Sequence, residues 1–99
     1  MNRKQYLLTK LAEEASEVAQ IALKTQQFGF NEVYPGQPLT NKERVHLELN
    51  DLIAVVAMLN TEFDFGFSPD EEQGLAKKNK VNKYYNLSVT LGEVNDKVV

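Results

Sequence analysis

Two short acidic runs constrain the fold of this chain most, because each lies where a helix would bury its side chains. The runs are Glu13-Glu14-Ala15-Ser16-Glu17 and Glu48-Leu49-Asn50-Asp51. Residues three apart share a helix face, so Glu14 with Glu17 and Glu48 with Asp51 each form a pair of carboxylates. Buried carboxylates that lie together repel one another. A fold that buries them needs a counter-ion, which a divalent cation would supply.

A helical wheel ranks these acids by burial. At about 100° per residue, Glu14 falls inside the apolar arc of the first helix, Glu17 lies at its edge and Glu13 lies beyond it. Glu48 lies against the apolar stripe of the second helix, and Asp51 is about one residue width further round. Glu14, Glu48 and Asp51 are therefore the acids whose burial most requires a cation, whereas Glu13 is peripheral.

Helical periodicity and turn residues predict the first two helices. The first spans about 2–28, with strong helix formers and no proline, and ends at Gly29. A loop rich in glycine and proline follows as far as Leu39. Thr40 and Glu43 then fit a capping box, which predicts a second helix over about 41–62.

The rest of the chain predicts a shorter third helix. Ser68-Pro69-Asp70-Glu71 fits a cap with proline at the first helical position, and the helix continues to about Tyr85. Leu87 to Leu91 alternates with period two, so it could form a short C-terminal β segment, although no second strand is evident to pair with it. The predicted fold is an all-α helical bundle in one domain over 1–99, with a core of about 2–85 and a tail over 86–99.

Oligomerisation is expected to complete this bundle. A chain of 99 residues buries a limited core by itself. The segment from Leu52 to Leu59 is apolar on every side, which a small three-helix domain could hardly cover. We therefore expect a homodimer or a homotetramer.

Composition narrows the partners and the compartment. The net charge of -3 gives no general attraction to nucleic acid. The absence of cysteine excludes disulfides and thiolate metal sites. The first residues lead into an amphipathic pattern rather than a signal peptide, and Leu52 to Leu59 is too short to span a bilayer. These features favour a cytoplasmic protein that binds neither nucleic acid nor membrane.

Carboxylate ligands without histidine or thiol favour a hard cation, Mg²⁺ first and Mn²⁺ next. A ferritin-type di-iron site would need glutamate and histidine three residues apart. His46, the only histidine, lies two residues before Glu48 and therefore on another face, which indicates a polar or interface residue. A competing interpretation is salt bridging, since Lys10 lies four residues before Glu14 and Arg44 four before Glu48.

The two acidic motifs resemble a known signature. An E-E-x-x-E run on one helix and E-x-x-D on the next are typical of the all-α nucleoside triphosphate pyrophosphatases, the MazG-like and dimeric dUTPase superfamily. The resemblance covers roughly residues 5 to 85. It implies Mg²⁺-dependent hydrolysis of a nucleoside triphosphate between the α and β phosphates, which gives a monophosphate and pyrophosphate. It also implies assembly into dimers or tetramers.

The resemblance assigns roles to particular residues. It implies that the metal ligands are Glu14, Glu17, Glu48 and Asp51. Glu13 would join a further metal or orient the attacking water. The residues that would hold the triphosphate are Lys77, Lys80 and Lys83, which are otherwise read as solvated cations of a surface helix.

Two features depart from the family pattern. The interval between Glu17 and Glu48 is long for compact members, because of the loop around 34–39, and the resemblance assigns no role to the segment 87–99. Two alternatives to an enzyme also remain. One is a non-catalytic helical oligomerisation or binding module with the same fold, and the other is a structural bundle whose acids are salt-bridged.

Overall fold

The computed structural model describes residues 1–95, and the regular structure within this range is helical. It consists of α1 (Arg3–Phe28), α2 (Asn41–Phe63) and α3 (Glu71–Thr90). The prediction of an all-α fold is confirmed. The chain divides into two compact units, one that contains α1 and α2 and ends at Phe67, and one that begins at Ser68 and contains α3.

Capping interactions set both ends of α1. The Asn2 side chain accepts a hydrogen bond from the Gln5 amide, and the Gln5 side chain accepts one from the Asn2 amide, each at 2.9 Å. The helix ends at Gly29, whose amide donates to the Thr25 carbonyl at 2.8 Å. Gly29 has φ 94° and ψ 164°, a conformation open essentially to glycine alone. The predicted bounds of this helix are therefore confirmed to within one residue.

Replacing Gly29 with alanine should destabilise the first unit. The added methyl would meet no atom within 4 Å, so only backbone strain opposes it. A residue forced into this conformation costs about 1–3 kcal/mol, which urea denaturation would measure. Gly74→Ala is the matched control, because Gly74 lies inside α3 with open space around it, and there alanine should stabilise the helix by about 0.5–1 kcal/mol. Equal effects of the two changes would contradict this assignment.

The predicted capping box at the start of α2 is confirmed. The Glu43 amide donates to Thr40 Oγ1 at 3.2 Å, and the Thr40 amide donates to the Glu43 carboxylate at 3.1 Å. The helix runs one residue beyond the predicted end and is followed by Asp64 in the left-handed conformation, φ 54°. Asn60 then exchanges two hydrogen bonds of 2.9 Å with the backbone of Phe67, which fastens the segment after the helix.

α1 and α2 form an antiparallel hairpin. Arg3 at the start of α1 pairs with Glu62 at the end of α2 through contacts of 3.0 and 3.2 Å. At the other end, Asn41 donates its side-chain amide to the Gly29 carbonyl at 3.0 Å. The apolar side chains that are buried within residues 1–95 are Leu7, Ile21 and Leu59. The core is therefore as small as the chain length predicts.

The predicted start of α3 is wrong by two residues. The helix begins at Glu71 with Asp70 as its cap, and Asp70 Oδ1 accepts a hydrogen bond from the Gln73 amide at 2.8 Å. Asp70 caps as well as Ser68 would, and it places Glu71 and Glu72 in the first turn, where they favour the helix dipole.

The predicted end at Tyr85 and the C-terminal β segment are also wrong. Helical hydrogen bonds continue, with the Leu91 amide donating to the Leu87 carbonyl at 2.9 Å and Thr90 Oγ1 donating to the Asn86 carbonyl at 3.0 Å. A lone strand would leave its backbone unpaired, whereas a helix satisfies it locally. The predicted tail thus starts inside α3, and its last four positions, 96–99, lie outside the described residues. No helix within the described range is both long enough and apolar enough to cross a bilayer.

Candidate functional site

The antiparallel register of the hairpin brings the two acidic runs together. Glu17 follows Arg3 by fourteen residues, and Glu48 precedes Glu62 by fourteen. Because Arg3 contacts Glu62 and the helices run in opposite directions, these equal offsets place Glu17 beside Glu48.

Three carboxylates form a compact cluster at this point, which we term the acidic triad: Glu14, Glu17 and Glu48. Each offers one oxygen, and the three oxygens lie within 4.8 Å of one another. Oε2 of Glu14 and Oε2 of Glu48 are shielded from solvent and have no hydrogen-bond partner among the described residues. Buried acceptors in folded proteins are normally paired, so these two oxygens are unusual among the polar atoms of the described residues.

The surroundings of Glu14 and Glu48 favour protonation of these two carboxyls. Burial raises the pKa of Glu14, and the charges of Glu17, Asp51 and Glu13 raise it further. Burial also raises the pKa of Glu48, and the neighbouring carboxyls of Glu17, Asp51 and Glu14 raise it further. The triad thus holds its negative charge only at a free-energy cost when no cation is bound.

The metal-free protein should therefore lose stability as pH rises. Because the folded-state pKa of Glu48 is raised, the folded protein binds more protons than the unfolded chain once pH passes the ordinary glutamate pKa. The free energy of unfolding then falls until pH passes the raised value. In chelator, Glu48→Gln should stabilise the protein increasingly across this window, as urea denaturation at successive pH values would measure. A difference from the native chain that does not change with pH would contradict the assignment.

The triad fits a hard divalent cation. Oxygen ligands lie about 2.0–2.1 Å from Mg²⁺ and about 2.3–2.6 Å from Ca²⁺, so two ligands on opposite sides of one ion are about 4–5 Å apart. The three oxygens lie no more than 4.8 Å apart, which is close enough for them to bind one ion. Carboxylate oxygens are also the donors that hard cations prefer. Exposed acids often cluster without an ion, and the feature that sets this triad apart is its two solvent-shielded oxygens.

The remaining predicted site residues lie outside the triad. Asp51 is exposed, contrary to the expectation that its burial requires a cation, although its charge acts on both Glu14 and Glu48. Glu13 is exposed and pairs with Lys10 at 2.9 Å. The three lysines predicted to hold a triphosphate lie on the exposed surface of α3, in the second unit: Lys77, Lys80 and Lys83. Their role in binding a triphosphate stays a prediction.

Ion pairing does not neutralise the triad. Among residues 1–95 the ion pairs are Arg3–Glu62 and Lys10–Glu13. Lys24 and Arg44 line a small cavity of about 80 Å³ together with Glu17 and Glu48, yet neither cation lies within salt-bridge distance of a carboxylate of residues 1–95. The salt-bridged alternative therefore finds no support for Glu14, Glu17 or Glu48 in this part of the chain.

The same two cations, Lys24 and Arg44, also line a larger cleft of about 230 Å³. Lys24 and Arg44 line both the small cavity and this cleft, and the other lining residues include Phe28, Glu32, Tyr34 and Asn41. No motif in the sequence indicates this cleft. Spacing could have indicated the cations, because Lys24 lies seven residues after Glu17 and Arg44 four before Glu48, which places each on the face of its acid.

No protein-family model, curated protein or solved structure matches the chain.

Proposed function

We propose that this protein is a cytoplasmic, homo-oligomeric, Mg²⁺-dependent nucleoside triphosphate pyrophosphohydrolase. It would cleave a deoxynucleoside or non-canonical nucleoside triphosphate between the α and β phosphates and release a monophosphate and pyrophosphate. The observation that carries the proposal is the pair of shielded, unpartnered oxygens of Glu14 and Glu48 in a triad with Glu17. The paired acidic motifs, with their resemblance to the MazG-like superfamily, supply the reaction class.

The acidic residues have different roles in the proposed reaction. Glu14, Glu17 and Glu48 would hold the cation, which when bound polarises phosphate oxygens and lowers the pKa of water beside it. Asp51 lies beside the triad and would either complete the ligand set or accept a hydrogen bond from the attacking water. Glu13, held by Lys10, would act only from the periphery. The lysines of α3 remain proposed contacts of the triphosphate.

A pyrophosphate-release screen tests the proposal. The native chain with Mg²⁺ should release pyrophosphate from at least one member of a panel of canonical and modified nucleoside triphosphates. Glu48→Ala and Asp51→Ala should reduce this release. Glu72→Gln is the matched control, because it removes an exposed carboxylate in the first turn of α3. No turnover across the panel, or turnover that Glu48→Ala leaves unchanged, would contradict the enzyme.

A binding or assembly module is the second candidate, and exposed apolar side chains on α2 favour it. The exposed residues include Leu49 and Ile53, which lie four residues apart on one face of the helix, and Ile53 is 63% exposed. Large apolar side chains grouped on one surface are typical of interaction sites. We therefore propose that this face of α2 mediates self-association into a homodimer or homotetramer. Sedimentation equilibrium should show an oligomer that Ile53→Lys weakens; a native monomer would exclude the proposed assembly.

A further inference from the structure

The loop between α1 and α2 is built into a wall of the larger cleft. Tyr34-Pro35-Gly36-Gln37 forms a turn in which the Gln37 amide donates to the Tyr34 carbonyl at 2.9 Å. Gly36 has φ 87°, and proline precedes it, as in a type II turn. This turn places two lining residues of the cleft, Tyr34 and Gln37, at its two ends.

A buried amide joins the two ends of this loop. Asn41 is 1% exposed, and its side-chain nitrogen donates to the Gly29 carbonyl at 3.0 Å and to Glu32 at 3.3 Å. The Asn41 backbone amide donates to the Glu32 carbonyl at 2.9 Å. One fully buried side chain therefore connects the start of the loop to its end, and Asn41 and Glu32 both line the cleft.

The lining chemistry suits a planar ring joined to an anion. Phe28 and Tyr34 contribute aromatic surface, and both are about half exposed. Lys24 and Arg44 contribute two positive charges that no described carboxylate pairs, and the carboxylate of Glu32, which also lines the cleft, accepts a hydrogen bond from Asn41. These two cations stand between the aromatic side chains and the acidic triad, since they line both cavities. The volume of about 230 Å³ is smaller than the roughly 300–1,000 Å³ of pockets that enclose a drug-sized ligand, so the cleft would take part of a nucleotide.

We propose that the base of the substrate nucleotide lies in this cleft, stacked on Tyr34 or Phe28, while Lys24 and Arg44 hold its phosphates against the acidic triad. This inference rests on the proposed function and names the substrate-binding residues for it. The loop that lengthens the interval between the two acidic motifs thereby becomes the base-binding element. The phosphates would then extend from the aromatic side chains, past Lys24 and Arg44, to the carboxylates that would hold the metal.

Equilibrium binding with and without a base tests the proposal. Calorimetric titrations of the full chain in Mg²⁺ would use deoxynucleoside triphosphates with an imido bridge between the α and β phosphates, for each of the four bases. Inorganic tripolyphosphate serves as the probe that has no base. Tyr34→Ala or Phe28→Ala should raise the Kd of the tightest nucleotide about tenfold, as expected for a lost stacking contact, and leave that of tripolyphosphate unchanged. Lys24→Met and Arg44→Met should raise the Kd of both the nucleotide and tripolyphosphate.

Two control variants match these changes outside the cleft. Tyr6→Ala removes an exposed tyrosine on α1, and Lys42→Met removes an exposed lysine on α2. Both should leave the two Kd values within twofold of the native chain. Thermal unfolding by circular dichroism confirms that each variant is folded before titration.

The outcomes distinguish failure of this inference from failure of the proposed function on which it rests. If the native chain binds or hydrolyses nucleotides but neither Tyr34→Ala nor Phe28→Ala changes the nucleotide Kd, the base lies elsewhere and only this inference fails. Equal losses for nucleotide and tripolyphosphate in the aromatic variants would also overturn it. If the native chain neither binds nor hydrolyses any nucleotide of the panel, the proposed function fails together with the inference.

Discussion

Glu48→Gln will reduce pyrophosphate release at least 100-fold while leaving the metal-free protein as stable as the native chain or more so. The amide cannot replace a charged ligand of the cation, and changes to outer-shell partners of metal ligands already cost about 10–100-fold. Without metal, the same change removes a shielded, unpartnered carboxylate oxygen and its repulsion with Glu14 and Glu17. Activity and stability should therefore move in opposite directions, as kcat/KM and urea denaturation in chelator would measure.

Opposite changes in activity and stability distinguish an acid that binds the metal from one that only stabilises the fold. Glu14→Gln should behave as Glu48→Gln does, because its Oε2 is equally shielded. Glu62→Gln is the structural comparison, since the pKa of Glu62 is lowered by its hydrogen bond with Arg3. That change should reduce stability slightly and leave pyrophosphate release near the native level. Loss of both activity and stability in Glu48→Gln would instead indicate a structural role.

Mg²⁺ will raise the thermal unfolding temperature strongly. A ligand that binds only the folded state at 100 times its Kd stabilises it by about 2.7 kcal/mol. For a domain of about 100 residues, this corresponds to roughly 10–20 °C. The effect arises because the ion offsets the repulsion among Glu14, Glu17 and Glu48 and supplies the partner that two oxygens lack. Differential scanning calorimetry over increasing MgCl₂ would measure it.

Ionic strength and the triad variants provide the controls for this shift. NaCl at matched ionic strength screens exposed charges but cannot bridge the carboxylates, so it should reproduce only a small part of the shift. A Glu14→Gln, Glu48→Gln double variant should lose the dependence on Mg²⁺. An equal Mg²⁺ response in the native chain and the double variant would contradict a metal site in the triad.

The sequence predicts α1 and α2 well because their ends carry local signals. Gly29 occupies a conformation that requires glycine, and Thr40 with Glu43 forms the capping box that its spacing indicates. The start of α3 is ambiguous, since Ser68 and Asp70 are both competent caps and each is followed three residues later by Glu71 or Gln73. The five residues after Asn86 are too few for a period-two pattern to distinguish strand from helix.

The candidate site is only partly predictable for a different reason. The helical wheel identifies Glu14 and Glu48 because burial depends on each helix face taken separately. It overstates the burial of Asp51, which faces solvent at the hairpin surface. The cleft depends on the register between the helices and on the conformation of the loop, which the buried Asn41 fixes through contacts distant in sequence. Such contacts leave no periodic signal.

The most direct test of the proposed chemistry is the identity of the products. Phosphorus NMR would follow the substrate selected by the screen, with native protein and Mg²⁺, alongside Glu48→Gln and a chelated sample. Cleavage between the α and β phosphates predicts equal amounts of nucleoside monophosphate and pyrophosphate, formed only by the native chain with metal. Nucleoside diphosphate and inorganic phosphate as products, or the same products from Glu48→Gln at the native rate, would contradict it.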